Sequence, residues 1–512
     1  MTHVYLSQDS SSRAAGTRQL APILRAFEST HDFKLIETGS RGAFFLEPMI
    51  EVDTAGGRCA YSNVRPDEVE PLLRGGMLQG KPIRDGFFAD VEKIPFLANQ
   101  TRITFARCGR IETGSLRAYQ AAGGYAALRT ALFNCRPQEI IEQIKRSGLR
   151  GRGGAAFPTG IKWQTAADFP ADEKFVVANG DEGDPGTYAD RMLMEGDPFA
   201  LLEGMTICAR AIGATKGFIY IRAEYPRAAE RMRQAIAAAG EAGFLGDDIL
   251  GSSFSFHVEI RRGAGAYVCG EETALLESLE GRRGMVRPKP PFPATHGLFG
   301  KPTVVNNVTT LATIPAILQR GGGWYAAMGT EKSRGTIALQ LAGALRTPGL
   351  VEVPFGITLR KIIEDFGGGA LPGHAIAAVQ VGGPLGDLFA PDQLDLPVDF
   401  DAFATIGGML GHGGIVVYDD RTDGLELAER LMTFLAHESC GKCAPCRLGS
   451  RHGAEILHDI RAGRGEIGDA GRIADIAVAM RSASLCALGG MAATPIRAAM
   501  RLFPKSFAAL AR

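Results

Sequence analysis

The sequence predicts a multidomain α/β protein that ends in a helical, cysteine-bearing unit. Three observations carry that prediction. The chain has 512 residues, too many for one ordinary core, so three or four domains are expected. Between residues 113 and 330 helical stretches alternate with short apolar strands, KFVVANG (174–180), GFIYIRAE (217–224) and FSFHVEI (254–260). That alternation is the pattern of a parallel sheet covered by helices. Four of the nine cysteines gather late, Cys440, Cys443 and Cys446 in ESCGKCAPCRLGS and Cys486 in SLCALGG, within a stretch of helical periodicity.

Taken in order, residues 1–112 read as β-α-β-β-α. VYLS is a strand, and Ile23, Leu24 and Phe27 recur at helical spacing after Leu20. FKLIE is a second strand, and PMIEVD and RCAYSNV form a hairpin across Ala55-Gly56-Gly57. Pro66 opens a helix whose first turns carry Asp67, Glu68 and Glu70. Residues 113–330 form the α/β unit. Residues 331–420 read as a small β-grasp module: GTIALQLAG and TPGLVEVPFG pair as a hairpin, Thr358 caps a short helix, and HAIAAVQVGGP adds a strand. Residues 421–512 are the helical unit.

Charged residues make up 22% and apolar residues 45%, the profile of a soluble globular protein. With 56 basic and 56 acidic residues the net charge is zero, so no electrostatic pull toward nucleic acid is expected. The start MTHVYLSQDSSSR lacks a signal-peptide pattern, and no apolar run approaches the ~20 residues that span a bilayer. Scattered free thiols fit a reducing cytoplasm.

Three thiols at two-residue gaps, with a remote fourth, suit the corners of a cubic iron–sulfur cluster. Structural zinc usually takes two separated CxxC pairs. A redox disulfide within Cys440–Cys443 leaves two cysteines without a role. Cys59, Cys108, Cys135, Cys208 and Cys269 are scattered and read as small buried hydrophobes.

Four loops complete the reading. In GLRGRGGAAFPTGIKW (148–163) glycines let backbone N–H groups approach an anion while Arg152 and Lys162 add charge; a tight surface turn is the plainer alternative. NGDEGDPGT (179–187) follows a strand directly, at the ligand edge of such sheets, where amides and carboxylates accept sugar or ribityl hydroxyls; a solvated acidic turn is the alternative. In RGAGAYVCGEETALL (262–276), Glu271 and Glu272 stand at a helix start, and capping alone could explain them. KPPFP (289–293) offers a rigid lip and VNNVT (305–309) paired amides.

GRGGAAFPTGIKW, NGDEGDPGTYADR, GAGAYVCGEETALLESLEG, VVNNVTT and ESCGKCAPCR…SLCALG occur in the order seen in the FMN- and NADH-binding subunit of respiratory complex I and its soluble relatives. The resemblance covers residues 113–512. It implies a Rossmann-like FMN domain, a β-grasp (SLBB-like) module and a helical bundle holding a [4Fe–4S] cluster on Cys440, Cys443, Cys446 and Cys486. It places the FMN site on Gly151, Arg152, Gly153, Gly154, Lys162, Asn179, Asp181, Glu182, Tyr267, Gly270, Glu271, Glu272, Asn306, Asn307 and Thr309. NAD(H) is expected near Phe157, with Lys289 and Phe292 on its adenosine half. Glu182 and Asp184 are expected to position the carboxamide; the family commonly has glutamate at the latter. Ala487 and Leu488 match the stretch that approaches the flavin.

Residues 1–112 resemble the thioredoxin-like [2Fe–2S] subunit that accompanies this family, with Ser7, Ser12, Ser40 and Phe44 at its four cysteine positions. The cubane is then the only cluster expected. The resemblance is greatest to the diaphorase (β) subunit of a soluble NAD-dependent formate dehydrogenase. It implies a [2Fe–2S] thioredoxin-like γ-type subunit and a molybdenum- and Fe–S-bearing α-type subunit as partners. The alternatives are the diaphorase of an NAD-reducing hydrogenase, the complex I subunit, and a non-catalytic Fe–S or zinc scaffold.

Overall fold

The structure is a computed structural model and describes residues 1–507. Three sheets and a terminal helical bundle organise it. The first sheet has the order β2-β1-β3-β4-β5, from β1 (Thr2–Ser7), β2 (Phe33–Thr38), β3 (Ile50–Thr54), β4 (Gly57–Tyr61) and β5 (Phe87–Phe88). β1 and β2 are parallel; the β1–β3 and β3–β4 pairs are antiparallel. Helix Arg18–Glu28 lays Leu20 and Leu24, one turn apart, onto Val4, Leu6, Ile50 and Val52. The proline-led helix is split: a 3₁₀ turn at Pro66–Glu68 precedes helix Val69–Gly75.

The second sheet is wholly parallel, in the order β8-β7-β6-β9, from β6 (Phe175–Gly180), β7 (Lys216–Ile221), β8 (His257–Arg262) and β9 (Thr303–Asn307). β6 is central, and Val176, Val177 and Ala178 are buried on both faces, as a covered parallel strand requires. Beside it helix Pro198–Ile212 is buried at every residue but Arg210. The 305–309 segment, read from sequence as loop amides, is strand β9 followed by helix Val308–Arg320. Its run Val304-Val305 was too short to stand out as a strand without its β6 neighbour.

The third sheet has the order β11-β10-β14-β12-β13, from β10 (Thr336–Gly343), β11 (Gly349–Pro354), β12 (Ile376–Val381), β13 (Asp387–Phe389) and β14 (Gly414–Asp419). The β10–β11 hairpin and the Thr358 cap, whose hydroxyl accepts from Lys361 N, match the sequence reading. Helices Gly424–Glu438, Ala444–Arg461, Asp469–Ser482, Ala487–Met491 and Ala493–Leu502 form the last unit.

The N-terminal segment does not end as one body near residue 112. Beyond Phe88 the chain runs as a strap. Val91, Ile94, Phe96 and Leu97 enter the core of the third sheet, while Phe105 and Cys108 enter that of the parallel sheet. Glu352 on β11 holds the strap by accepting from the backbone N–H groups of Ile103, Thr104 and Phe105 at 2.9–3.0 Å. The first sheet also meets the second directly. A Cβ on Gly39 would stand 2.6 Å from the Gly196 Cα, so the two backbones touch where Gly39 has no room for a side chain. Among the described residues no helix is long and apolar enough to cross a membrane.

Candidate functional site

The carboxyl ends of β6 and β9 are adjacent, with Asn179 in register with Asn307, so the acidic loop and the asparagine turn emerge side by side. This is the edge where open α/β sheets receive ligands. Asn179 Nδ2 donates to the Gly270 carbonyl (2.8 Å), and its Oδ1 accepts from Asp181 N (3.1 Å). Asp181 Oδ2 is buried and has no hydrogen-bond partner. Burial pushes its carboxyl up to about 7, against the pull of Arg222. A buried, unpaired acceptor that sits beside a glycine suits the hydroxyls of a polyol chain, so the site fits the ribityl part of a flavin.

The glycine-rich loop is closed by Gly151 N donating to the Phe157 carbonyl (2.9 Å). Gly153 has no room for a side chain, since a Cβ there would lie 2.9 Å from Asn307 Cβ. Arg152 departs from the expected charge donor. Its guanidinium is buried, donates to Tyr325 OH and to the carbonyls of Arg150, Arg334 and Thr336, and lies over Phe355. That charge anchors the loop to β10. Lys162 reaches the site but is paired: its Nζ donates to Glu272 (3.1 Å) and to the Val305 carbonyl (2.9 Å).

Glu272 continues an alternating ladder. Lys289 Nζ is 3.5 Å from Glu272 and 2.9 Å from Glu271. Glu271 also caps helix Glu272–Leu279 by accepting from Thr273 N and Ala274 N. Burial opposes these charges, but pairing prevails: Glu272 lies below the ordinary glutamate range and Lys289 above that of lysine. The aromatic residues assigned to the nucleotide are exposed, Phe157 at 49% and Phe292 at 56%. Solvent-facing phenyl rings offer a surface on which a planar heterocycle can stack.

Glu182 is corrected from a nucleotide-positioning group to an internal one. Its carboxylate is buried and accepts from Asp190 N (3.1 Å), Arg191 N (3.1 Å), Tyr225 OH (3.2 Å) and His412 Nε2 (3.0 Å). No oxygen is left for a nicotinamide. Asp184 is half-buried and takes the Tyr267 hydroxyl at 2.8 Å; burial raises its carboxyl. Asn306 Oδ1 accepts from Trp163 Nε1 (2.9 Å), while Asn307 Nδ2 (2.6 Å) and the Thr309 hydroxyl (2.7 Å) donate to Asp190. The sequence reading missed Asp190 and His412. Asp190 lies within the quoted NGDEGDPGTYADR, but nothing local distinguishes its carboxylate from its neighbours'. His412 is a lone histidine in a glycine turn, about 230 residues from Glu182.

The four late cysteines are brought together. Cys440, Cys443, Cys446 and Cys486 line one pocket with Val268, Val286, Ser439, Ser484 and Leu488, and none forms a disulfide. Cys443 and Cys486 are the N-caps of helices Ala444–Arg461 and Ala487–Met491. Cys443 Sγ accepts from Leu485 N at 3.4 Å. Backbone N–H groups of Leu488 and Gly489 point at the Cys486 sulfur, though burial still holds that thiol up at about 11. A Cβ on Gly489 would fall 2.3 Å from Ser484 Oγ and 2.9 Å from Cys446 Cβ, so the pocket wall tolerates only hydrogen there. Four convergent sulfurs in an apolar pocket, with helix N-termini facing the charge, fit an Fe–S cluster. Val268 and Leu488 line this pocket, and the residue before Val268, Tyr267, is bonded to Asp184.

Ser12 and Ser40, two of the four N-terminal positions singled out from the sequence, converge on a carboxyl. Ser12 Oγ (2.9 Å) and Ser40 Oγ (3.4 Å) donate to Glu47 Oε1, and Met49 N donates to its Oε2 (2.9 Å). Ser7 is buried, and Phe44 packs edge-on to Tyr188.

Two family models match the chain: the Nuo51 FMN-binding domain over residues 144–316, and the NADH-ubiquinone oxidoreductase-F iron-sulfur binding region over residues 426–510. The second F subunit of NADH-quinone oxidoreductase in Rhizobium meliloti (strain 1021) is 49% identical over 394 residues, covering 77% of this chain and 94% of that protein. The HndC subunit of the NADP-reducing hydrogenase of Solidesulfovibrio fructosivorans is 47% identical over 410 residues, covering 80% and 83%. A crystal structure of an NAD⁺-reducing [NiFe]-hydrogenase in the H2-reduced state aligns over 99% of this chain and 84% of its own, with TM-score 0.69 and 32% identity. The chain thus carries FMN and a [4Fe–4S] cluster, uses NAD(H), and belongs to the family of flavoprotein subunits that includes the F subunit of NADH-quinone oxidoreductase.

Proposed function

We propose that this chain is the diaphorase subunit of a soluble, molybdenum-dependent formate dehydrogenase of the cytoplasm. It exchanges a hydride between NAD(H) and FMN and passes single electrons through its cluster to or from partner subunits. The observation that carries the electron-transfer part is the shared wall: Tyr267 bonds to the acidic loop while its neighbour Val268 lines the four-cysteine pocket. Bound FMN supplies the conversion between a two-electron hydride and single electrons.

The chain's own residues bind and orient. Backbone N–H groups of Gly153 and Gly154 suit the phosphate, with Lys162 as the nearby cation, while Gly151 N closes the loop on the Phe157 carbonyl. Asn179, Asp181 and Gly270 suit the ribityl hydroxyls. Phe157 and Phe292 suit stacking, and Lys289 the charged half of the dinucleotide. Cys440, Cys443, Cys446 and Cys486 hold the cluster.

The N-terminal unit supports the formate dehydrogenase context. Its sheet order, with β1 parallel to β2 and β3–β4 antiparallel beside them, suits a thioredoxin-like fold. The four cysteine-equivalent positions hold Ser7, Ser12, Ser40 and Phe44, and the two relatives from Rhizobium and Solidesulfovibrio cover 77% and 80% of the chain. The four-stranded parallel sheet supports a Rossmann-like reading, and the mixed third sheet a β-grasp one. The hydrogenase alternative is favoured by the alignment over 99% of the chain. To decide, the native complex is purified through this chain and assayed for NAD⁺ reduction. Formate-dependent activity with molybdenum is expected; hydrogen-dependent activity with nickel overturns the formate dehydrogenase reading.

A further inference from the structure

His412 lies in the turn that feeds β14 of the third sheet, yet its ring reaches into the flavin unit. Nδ1 is 2.6 Å from the Arg152 carbonyl oxygen. Nε2 is 3.0 Å from Glu182 Oε1 and 3.3 Å from Asp190 Oδ2. A carbonyl accepts only, as does an ionised carboxylate. Both ring nitrogens must then donate, and a neutral imidazole carries a single N–H. The side chain is only 8% exposed, so water offers little alternative partnership. Burial alone pulls the ring's pKa down, but Asp190 and Glu182 together hold it well above the ordinary value.

Each bond leads to a different ligand-binding segment. Arg152 belongs to the glycine-rich loop and Glu182 to the acidic loop. Asp190 in turn accepts from Asn307 and Thr309 of the asparagine turn. The histidine's own backbone is tied to β10, where Gln340 Nε2 donates to its carbonyl at 2.8 Å.

We propose that His412 is a positioning residue, a buried imidazolium that locks the 151–154 loop, the 181–184 loop and the 307–309 turn in one register and so sets the affinity for FMN. The proposal rests on the FMN-binding reading. The other groups that face this cluster are Asp184 on the acidic loop and the Tyr225 hydroxyl, which donates to Glu182. Arg191 contributes its backbone N–H, and the Arg152 guanidinium is engaged with Tyr325 and main-chain carbonyls. Glu182, Asp190 and His412 are close enough to hold a metal ion, which makes metal content a discriminating measurement.

The full-length protein, with its cluster intact, is stripped of flavin and titrated with FMN from about pH 6 to about pH 9. Wild type is expected to bind evenly through about pH 8. His412→Gln keeps a donor toward the carboxylates and loses the one toward Arg152; its Kd is expected to rise about tenfold at every pH. Both variants lose the charge. His412→Asn keeps the donor toward Arg152 and leaves Glu182 and Asp190 without one, a loss that grows as these carboxylates ionise. Its Kd is expected to stay near wild type at the acidic end and to rise with pH. Equal, pH-independent losses in both variants indicate mere structural support and overturn the proposal, as do two variants that bind like wild type. Stoichiometric metal beyond the cluster iron, lost in both variants, also overturns it. ¹⁵N NMR of histidine-labelled wild type gives an independent reading: two protonated ring nitrogens at about pH 8 support the imidazolium and one contradicts it. Wild type that takes up no FMN sinks the flavin reading along with this one; uptake by wild type with indifferent variants sinks this one alone.

Discussion

At the scale of single residues, two positions make testable demands. Gly489 is held by Ser484 and Cys446 on either side of its missing side chain. Gly489→Ala forces a methyl into the wall that carries the third cysteine. The expected outcome is loss of at least half the cluster, read as iron content and as reduced-state EPR, with flavin content unchanged; a fully loaded Ala variant refutes the wall argument. Glu47 makes a pH demand. Burial, with Asp9 as a lesser cause, pushes its carboxyl from 4.5 up to about 8. The native state therefore keeps a proton that the unfolded chain releases. Stability from this group is complete below about pH 4.5 and disappears as pH rises through about 8, a span on the order of 5 kcal/mol at most. Glu47→Gln removes the titrating proton, so its urea midpoint should fall less than that of wild type between about pH 6 and about pH 9. Parallel pH profiles contradict the assignment. The cysteines were legible because thiol spacing is a local signature. The serine–glutamate contact was not, because Ser12, Ser40 and Glu47 meet only after three strands have paired.

At the scale of elements, the ion ladder joins three loops through one helix start. Glu271 caps Glu272–Leu279 and also holds Lys289, so its removal costs a cap and an ion pair together. The cap alone is worth about 1 kcal/mol, and the partly exposed pair adds less. Glu271→Ala should lower the thermal midpoint by a few degrees. It should also weaken NADH binding more than FMN binding, because Lys289 is proposed to hold the nucleotide; titration with NADH and with FMN separates the two. Equal losses argue against a lip role for Lys289. Strands β6, β7 and β10–β12 were readable from apolar runs and hairpin spacing. β9 was not: five residues take their strand identity from pairing with β6, and Asn307 reads as a loop amide until it is seen capping helix Val308–Arg320. Arg152 was misread for a similar reason. An arginine among glycines looks like an anion ligand, and only the arrival of Tyr325 and β10 shows where its N–H groups are taken up.

At the scale of the whole molecule, the cores interlock. The 91–108 strap enters two cores, and His412 crosses from the third sheet into the flavin unit. Val268 lines the cluster pocket, and its neighbour Tyr267 bonds to Asp184 of the acidic loop. Removing a cluster ligand should therefore separate two activities that the intact chain performs together. Cys486→Ser leaves the glycine-rich loop, Asp181 and the ion ladder in place, since none of them contacts the Cys486 side chain through a hydrogen bond. It leaves three sulfurs and an oxygen where the iron needs four thiolates. NADH should still bleach the flavin absorbance of the variant, and ferricyanide, which can take electrons at an exposed flavin edge, should still be reduced at close to the wild-type rate. Delivery to the partner subunits should fall at least a hundredfold, on the order of 3 kcal/mol or more in barrier terms. The assembled complex shows this by losing NADH-driven reduction of the partner's own centres. Retained delivery, with the cluster signal gone, contradicts an exit route through Cys440, Cys443, Cys446 and Cys486. Loss of both activities together points instead to a cluster unit that must be loaded before the flavin loops can assume their native arrangement. The contact of Tyr267 with both Glu438 and Asp184 makes that second outcome physically concrete. Comparing FMN uptake by Cys486→Ser and by Tyr267→Phe tells the two apart.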